Sequence, residues 1–243
     1  MLSKKSGRPV QVVMSRKDVF EGTGPASASL MRTKIGATND GKITAVELWM
    51  AFDAGAYPGS PVGGGALCAT GPYNIEHLLV DGYDVVTNHQ KVQAYRAPGQ
   101  PQGAFAVEPL IDELAEKLGM DPMEFRLKNA VTEGDRMPNG IAHPHFGITE
   151  MEQAMKNHSH YETPLAGPNQ GRGVAVGYRW QGGQPSSATI TVNNNGTINL
   201  VTGSVDIGGS RTAVAMQAAE ILGLQAEDVC PTVVDTDTIG WTG

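Results

Sequence analysis

Glycine constrains this chain more than any other feature: 31 of its 243 residues are glycine. At that density the backbone must turn tightly at many points or approach something closely. From Gly55 to Gly65 glycine mixes with proline and alanine in a stretch too irregular for a regular element and too apolar for a flexible linker. A packed functional loop is expected there. A second Gly-rich stretch, Gly203 to Gly209, is expected to turn a strand into a helix.

Between these stretches the hydrophobic pattern is legible. Val10 to Met14 reads as a buried strand. Residues 30–37 and 42–52 read as strands around Asn39-Asp40-Gly41, a hairpin signal because Asp-Gly accepts positive φ. Over 106–118, Val107, Leu110, Ile111, Leu114, Ala115 and Leu118 form one stripe of helical period, stopped by Gly119. Asp121-Pro122-Met123-Glu124 then starts a second helix, with Asp as cap, Pro at the first helical position and Glu closing a capping box. Residues 132–170 collect Gly, Pro, Asn and His around a helical patch at 150–156, and the subdomain boundary is placed there. Beyond it, 188–192 and 197–201 flank Asn194-Asn195-Gly196 as a second hairpin. A helix over 212–222 and a strand over 229–234 close the pattern. No internal repeat is visible. Strands and helices alternate without strict βαβ rhythm, so the fold expected is α+β, with mixed sheets and packed helices. The division is 1–160 and 161–243.

Bulk properties remove several classes of function. A formal net charge of -7 with no Lys/Arg cluster argues against nucleic-acid binding. No apolar run approaches the roughly 18 residues of a membrane span, and the basic N-terminus lacks the apolar core of a secretion signal. Cys68 and Cys230 lack metal-site spacing and read as reduced thiols of a cytoplasmic protein.

Two loops could hold chemistry. In Gln93 to Gln102, Arg96 sits among small residues just before a helix N-terminus, where its donors and the free helix amides could hold an anionic or oxygen-rich ligand. The alternative is that Arg96 braces the loop against a carboxylate or carbonyls. In Gly203 to Arg211, adjacent glycines at a helix start could admit a phosphate or similar anion, though a tight strand-to-helix turn explains them as well. Neither loop matches a P-loop or dinucleotide fingerprint. His143, His145, His158 and His160 cluster in sequence, but in a polar Gly/Pro-rich segment they read as an exposed loop rather than a metal site. No nucleophile setting surrounds Ser60, Ser186 or Ser187.

Taken together, the segments resemble the large, molybdopterin-binding subunit of the molybdenum hydroxylases, the family of xanthine dehydrogenase, aldehyde oxidase and carbon monoxide dehydrogenase. The resemblance rests on Gly7-Arg8-Pro9-Val10, Asp40-Gly41-Lys42-Ile43, Asp53-Ala54-Gly55-Ala56-Tyr57, Ala94-Tyr95-Arg96 with Pro101-Gln102, Glu124-Phe125-Arg126-Leu127-Lys128-Asn129, and Gly203 to Gly209. It implies two subdomains gripping molybdopterin or its cytosine dinucleotide form, with Arg96 at the molybdenum centre and Ile207, Gly208 and Gly209 along the pterin and metal face. It also implies hydroxylation of an aldehyde or heteroaromatic carbon with water-derived oxygen, and iron–sulfur and FAD-binding partner subunits.

Departures narrow that reading. Where the family commonly has a glutamine this chain has Gly209. Ala97 replaces the copper-carrying cysteine of carbon monoxide enzymes, and Gly65 stands near the substrate arginine of purine enzymes. The resemblance also places a Phe-Gly loop before Met1, a small-residue loop after Gly243, and the catalytic glutamate farther downstream. The expectation is a fragment of the molybdenum-cofactor subunit, inactive alone, with no catalytic residue and no metal ligand of its own. The alternative is a non-enzymatic remnant or a binding or oligomerisation module reusing the scaffold, and a homo-oligomer is a candidate assembly.

Overall fold

The turn at Asn39-Asp40-Gly41 closes the hairpin that the sequence implies, with Gly41 at φ 86°. The computed structural model describes residues 1–180, 183–233, 238–240 and 242, and the chain divides into two compact units, Met1–Trp180 and Gln181–Gly243. Before the hairpin lie two short helices, α1 (Leu2–Ser6) and α2 (Arg16–Gly22), the latter started by a Ser15–Asp18 capping box. The strand expected over Val10 to Met14 does not form. That segment is exposed and pairs with no strand, and β-branched sequence cannot hold a strand without a neighbour to complete its hydrogen bonds.

The hairpin pairs β1 (Ser29–Ala37) with β2 (Ile43–Gly55). After β2 the chain makes a short helix, α3 (Val62–Cys68), and returns as β3 (His77–Val86), which lies parallel to β2. Both are corrections to the sequence reading. The last four residues of the glycine stretch are helical, and β3 is absent from the sequence reading because Asp81, Gly82 and Asp84 interrupt its apolar alternation. One face of the sheet carries Val46, Leu48, Met50 and Phe52 into the core, where Ala106, Val107, Ile111 and Ala115 of α4 (Gln100–Leu118) meet them. Thus α4 begins well before the apolar stripe, and Gly119 ends it in the left-handed region as expected.

The stripe of α4 also contains a buried carboxylate, Glu108, and α5 (Pro122–Asn129) explains it. Arg126 of α5 is fully buried. Its Nη2 and Nε donate to Glu108 Oε2 at 2.9 and 3.1 Å, its Nη1 to Asp112 Oδ1 at 2.6 Å, and its Nη2 also to the Val174 carbonyl at 3.0 Å. Glu108 further accepts from Tyr73 Oη and from the Val176 amide at 2.9 Å. Buried charges persist only when paired and hydrogen-bonded in this way. Asn129 closes the same layer, accepting from the Ile43 amide and donating to the carbonyls of Gly41 and Phe125, each at 2.8 Å. Asp121 caps α5 through the Met123 and Glu124 amides. The expected capping box is not completed, because Glu124 turns outward to pair with Lys156 at 2.7 Å. Lys156 ends α6 (Ile148–Lys156), and a one-turn helix, α7 (Ser159–Glu162), follows.

In the second unit β4 (Ala188–Val192) and β5 (Ile198–Thr202) form the expected hairpin, with Gly196 at φ 83°. The chain then runs through α8 (Ser210–Leu222) and a 3-10 turn at Ala226–Asp228 to β6 (Val229–Val233), parallel to β5. Val234, expected in that strand, lies outside the described residues. Ile198, Leu200, Ala215, Ala219 and Val229 form this unit's buried core.

Candidate functional site

Arg96 stands exposed on the loop between β3 and α4, and the backbone beneath it is held stiffly. The next residue, Ala97, has φ 64°, the only positive φ outside glycine among the described residues. The left-handed region costs an alanine roughly 1–2 kcal/mol, so surrounding structure must impose it. That structure is α3. A Cβ on Gly99 would lie 2.1 Å from the Pro61 carbonyl oxygen and one on Gly64 would lie 2.6 Å from that of Pro98. Helix and loop touch backbone to backbone, which only glycine allows. Tyr95 Oη donates to Gln102 Oε1 at 2.7 Å, and Gln102 reaches the Ser27 carbonyl. The result is an exposed Arg96 on a loop held stiffly just before a long helix.

The approach to this loop is fixed by Asp53, one of the quoted marker residues. Its Oδ1 accepts from the Gly55 amide and Thr87 Oγ1, each at 2.7 Å, and its Oδ2 lies 2.6 Å from His89 Nδ1. Hydrogen bonds from His89 first, then from Gly55 and Thr87, hold its pKa down to about 2. Asp53 thereby ties the end of β2 to the segment leaving β3.

The second loop is also built around an aspartate. Gly208 and Gly209 have φ 109° and 80°, and Gly209 is the residue before α8. Asp206 Oδ1 accepts from the amides of Gly208 at 3.0 Å and Ser210 at 3.1 Å, and these bonds lower its pKa. The helix N-terminus therefore already holds an anion, the chain's own carboxylate. Open space remains over Gly209, where a Cβ would meet nothing within 4 Å, and Ile207 is exposed. The sequence reading overlooked Asp206. An aspartate two residues before a glycine and four before a serine at a helix start is the signal of such a turn. Arg96 belongs to the first unit and Ile207, Gly208 and Gly209 to the second, and each loop's geometry is described within its own unit.

Of the four clustered histidines, His145, His158 and His160 are exposed. His143 is instead buried, packed against Phe146 and Tyr178 at 5.3 and 5.5 Å, with burial lowering its pKa. Among the described residues no group of three His, Cys, Asp or Glu is placed to hold a metal ion. A surface groove of about 760 Å³ runs along Lys34–Gly36, Ala45–Glu47 and Glu76–Leu79, and its lining does not include Arg96.

Two hairpin-led units, each with a glycine loop beside a helix N-terminus, define a class that the sequence comparisons identify. Residues 1–130 and 148–243 match the two molybdopterin cofactor-binding domains, and the chain belongs to that family. It is 33% identical over 236 residues to the aldehyde oxidoreductase molybdenum-binding subunit PaoC of Escherichia coli, covering 91% of this chain and 31% of that one. It is 30% identical to a xanthine dehydrogenase molybdenum-binding subunit of Escherichia coli over 94% of this chain and 33% of the other. The solved structure of aldehyde oxidoreductase from Desulfovibrio gigas superposes with a TM-score of 0.71 at 29% identity, covering 98% of this chain and 28% of that one. The chain thus spans about a third of the length of these relatives. Molybdopterin with molybdenum is the cofactor of the intact family. Among the described residues no helix is long and apolar enough to cross a membrane.

Proposed function

We propose that each of the chain's two units contributes cofactor contacts in the molybdenum-binding part of a cytoplasmic hydroxylase. The Arg96 loop supplies those of the first unit, and Ile207, Gly208 and Gly209 those of the second. The observation that carries the proposal is the rigid placement of Arg96, an exposed residue on a loop whose backbone is fixed by strained Ala97 and contact with α3. The donor fork of an arginine suits the phosphate and oxygen-rich edge of a pterin cofactor. Gly209 fits the same ligand through its open approach, whereas Asp206 at the α8 N-terminus disfavours a bare anion there, so the pterin rather than its phosphate belongs on that side. Molybdopterin in its plain or cytosine dinucleotide form would supply the oxygen-transfer and redox chemistry, and the residues of this chain would bind and orient it. The intact enzyme would hydroxylate an aldehyde or heteroaromatic carbon and pass electrons to iron–sulfur and FAD-binding partners.

Residues 1–243 by themselves would not turn over, since the base that the family uses is expected outside them. The test is a titration with molybdopterin released from a denatured molybdenum enzyme, followed by pterin fluorescence, with molybdenum analysis of the purified chain. We expect substoichiometric molybdenum and weak pterin binding that Arg96→Ala weakens by roughly tenfold or more, the loss of one charge-assisted hydrogen bond. One molybdenum per chain would overturn the incompleteness. Binding unchanged in Arg96→Ala would overturn the assignment of Arg96.

A further inference from the structure

Past α7 the chain alternates as a strand does, yet among the described residues it pairs with none. In Gly173-Val174-Ala175-Val176-Gly177-Tyr178 the glycines and Ala175 are exposed, while Val174 and Tyr178 are partly covered. Val176 is buried in a cluster with Val131 and Ile148. An extended segment must place its amides and carbonyls somewhere, and here the partner is a pair of charged side chains. The Val174 carbonyl accepts from Arg126 Nη2 at 3.0 Å, and the Val176 amide donates to Glu108 Oε2 at 2.9 Å. The segment is a strap fastened to the buried ion pair of α4 and α5. It is also the last stretch of the first unit before the chain passes to the second.

The fastening leaves no donor free. Arg126 directs Nε and Nη2 to Glu108, Nη1 to Asp112 and the Pro122 carbonyl, and Nη2 again to Val174, which uses every N–H of a guanidinium. Glu152 is fully buried within the electrostatic reach of this cluster, and neither of its oxygens has a hydrogen-bond partner among the described residues. Arg126 already balances Glu108, with Asp112 at the edge. An ionised Glu152 would therefore be a buried anion without a cation of its own.

We propose that Glu152 is the latch of this strap: protonated, it leaves Arg126 to hold Val174, and ionised, it draws an Arg126 donor from Val174 and releases residues 173–178. A carboxylate outcompetes a neutral carbonyl for a guanidinium. Of the two carbonyls that Arg126 holds, that of Pro122 belongs to its own helix, so that of Val174 yields. The other ionisable groups around α6 are committed elsewhere. Glu124 pairs with Lys156, Tyr161 donates to Asp121 and Tyr73 to Glu108, and His143, with Asp135 near it, packs on Tyr178. Burial keeps Tyr73 and Tyr161 protonated and drives the His143 pKa down, whereas it raises that of Glu152 from 4.5 to about 7. The strap is thus fastened below that range and released as pH rises through it.

The test is hydrogen exchange of the full chain, followed amide by amide by NMR from about pH 5.5 to about pH 8.5 and corrected for intrinsic exchange, with β2 amides reporting opening of the whole unit. Val176 should be less protected than β2 by at least about tenfold at every pH, the mark of a local opening. Its protection should fall at least about tenfold across the range in the parent and less than about threefold in Glu152→Gln. If that variant misfolds, the parent decides: the Glu152 carboxyl carbon and the Val176 amide should titrate with one midpoint. A Val176 amide that stays still while Glu152 titrates, or a Glu152 that does not titrate, would overturn the proposal. So would protection equal to that of β2, a flat profile in the parent, or a fall that survives in Glu152→Gln.

Discussion

Replacing Glu152 with glutamine should make the first unit less sensitive to alkali without changing its behaviour in acid. The Glu152 side chain is fully buried on α6, and neither carboxylate oxygen has a hydrogen-bond partner. Burial raises its pKa from 4.5 to about 7, with nearby Arg126 opposing and Glu108 reinforcing the rise. The folded chain therefore keeps this proton over a range where the unfolded chain has lost it. The contribution to stability is fully present below pH 4.5 and is lost as pH rises through 7. That separation corresponds to roughly 3 kcal/mol. Glutamine has the same shape and no charge at any pH. Its buried amide carries a constant cost, so the variant and the parent differ by an offset that pH changes only through Glu152. Other titrating groups, the depressed Asp53 and the buried His143 among them, contribute equally to both proteins and cancel.

The measurement is urea unfolding of both proteins at pH 5, 6, 7 and 8.5, followed by tryptophan fluorescence, since Trp49 and Trp180 both report on the first unit. The glutamine variant should gain roughly 3 kcal/mol on its parent between the two extremes, or roughly 6–12 °C in midpoint if heat is used instead. The slope carries the information and the offset does not. Parallel pH profiles would falsify the reasoning, because they would mean that Glu152 is hydrated or paired in solution.

Three other perturbations test the architecture. Arg126→Met should cost about 3–5 kcal/mol by leaving Glu108 buried without its cation, and adding Glu108→Leu should recover part of that loss in denaturant titrations. Gly99→Ala should cost more than about 2 kcal/mol, since its Cβ would strike the Pro61 carbonyl at a φ of 80°. An unchanged unfolding midpoint would mean that α3 does not hold the Arg96 loop. Asp206→Ala should lower the unfolding midpoint of the second unit, because the Gly208 and Ser210 amides lose their acceptor. It should also make that unit responsive to inorganic phosphate in thermal shift, while the parent responds less, because the vacated amides would then accept an external anion.

What the sequence disclosed was governed by how local each signal is. Hairpins announced by Asp-Gly and Asn-Gly, the caps at Gly119 and Asp121, and α8 are all set within a few residues, and all were readable. The third strand of the first sheet was not, because β3 is chosen by β2, to which it pairs across α3, rather than by its own alternation. The α3 helix was hidden for the converse reason: its glycines weaken local helix propensity but are needed for contact with Gly99 and Pro98. Among the resemblance markers, Arg126 and Asn129 proved to be architectural. Arg126 pairs with Glu108 and Asn129 receives Ile43, partners too distant in sequence for any pattern along the chain to couple them. Arg96 was legible as a candidate because an arginine among small residues is conspicuous. Its distinguishing feature, the positive φ of Ala97, was not, since alanine carries no such signature.

The two units share one plan that the sequence conceals. In each, an antiparallel hairpin is followed by a helix and then by a third strand parallel to the hairpin's second strand, giving the orders β1-β2-β3 and β4-β5-β6. In each, the hairpin's second strand leads into an Asp-x-Gly turn, Asp53-Ala54-Gly55 or Asp206-Ile207-Gly208, where the aspartate accepts the glycine amide at 2.7 or 3.0 Å. A parallel return requires the chain to leave the sheet abruptly and cross over a face. A glycine at positive φ makes that exit, and the aspartate holds it. Evident sequence repetition is unnecessary, because the plan needs only those two residues and apolar faces of the right period. This separates the roles of the glycines. Gly55 and Gly208 serve the crossover, Gly64 and Gly99 let a helix touch a loop, and Gly209 meets empty space. The glycine density therefore serves packing at some positions and turn geometry at others. Gly209 is distinctive in joining that open space to a helix start within a candidate ligand loop.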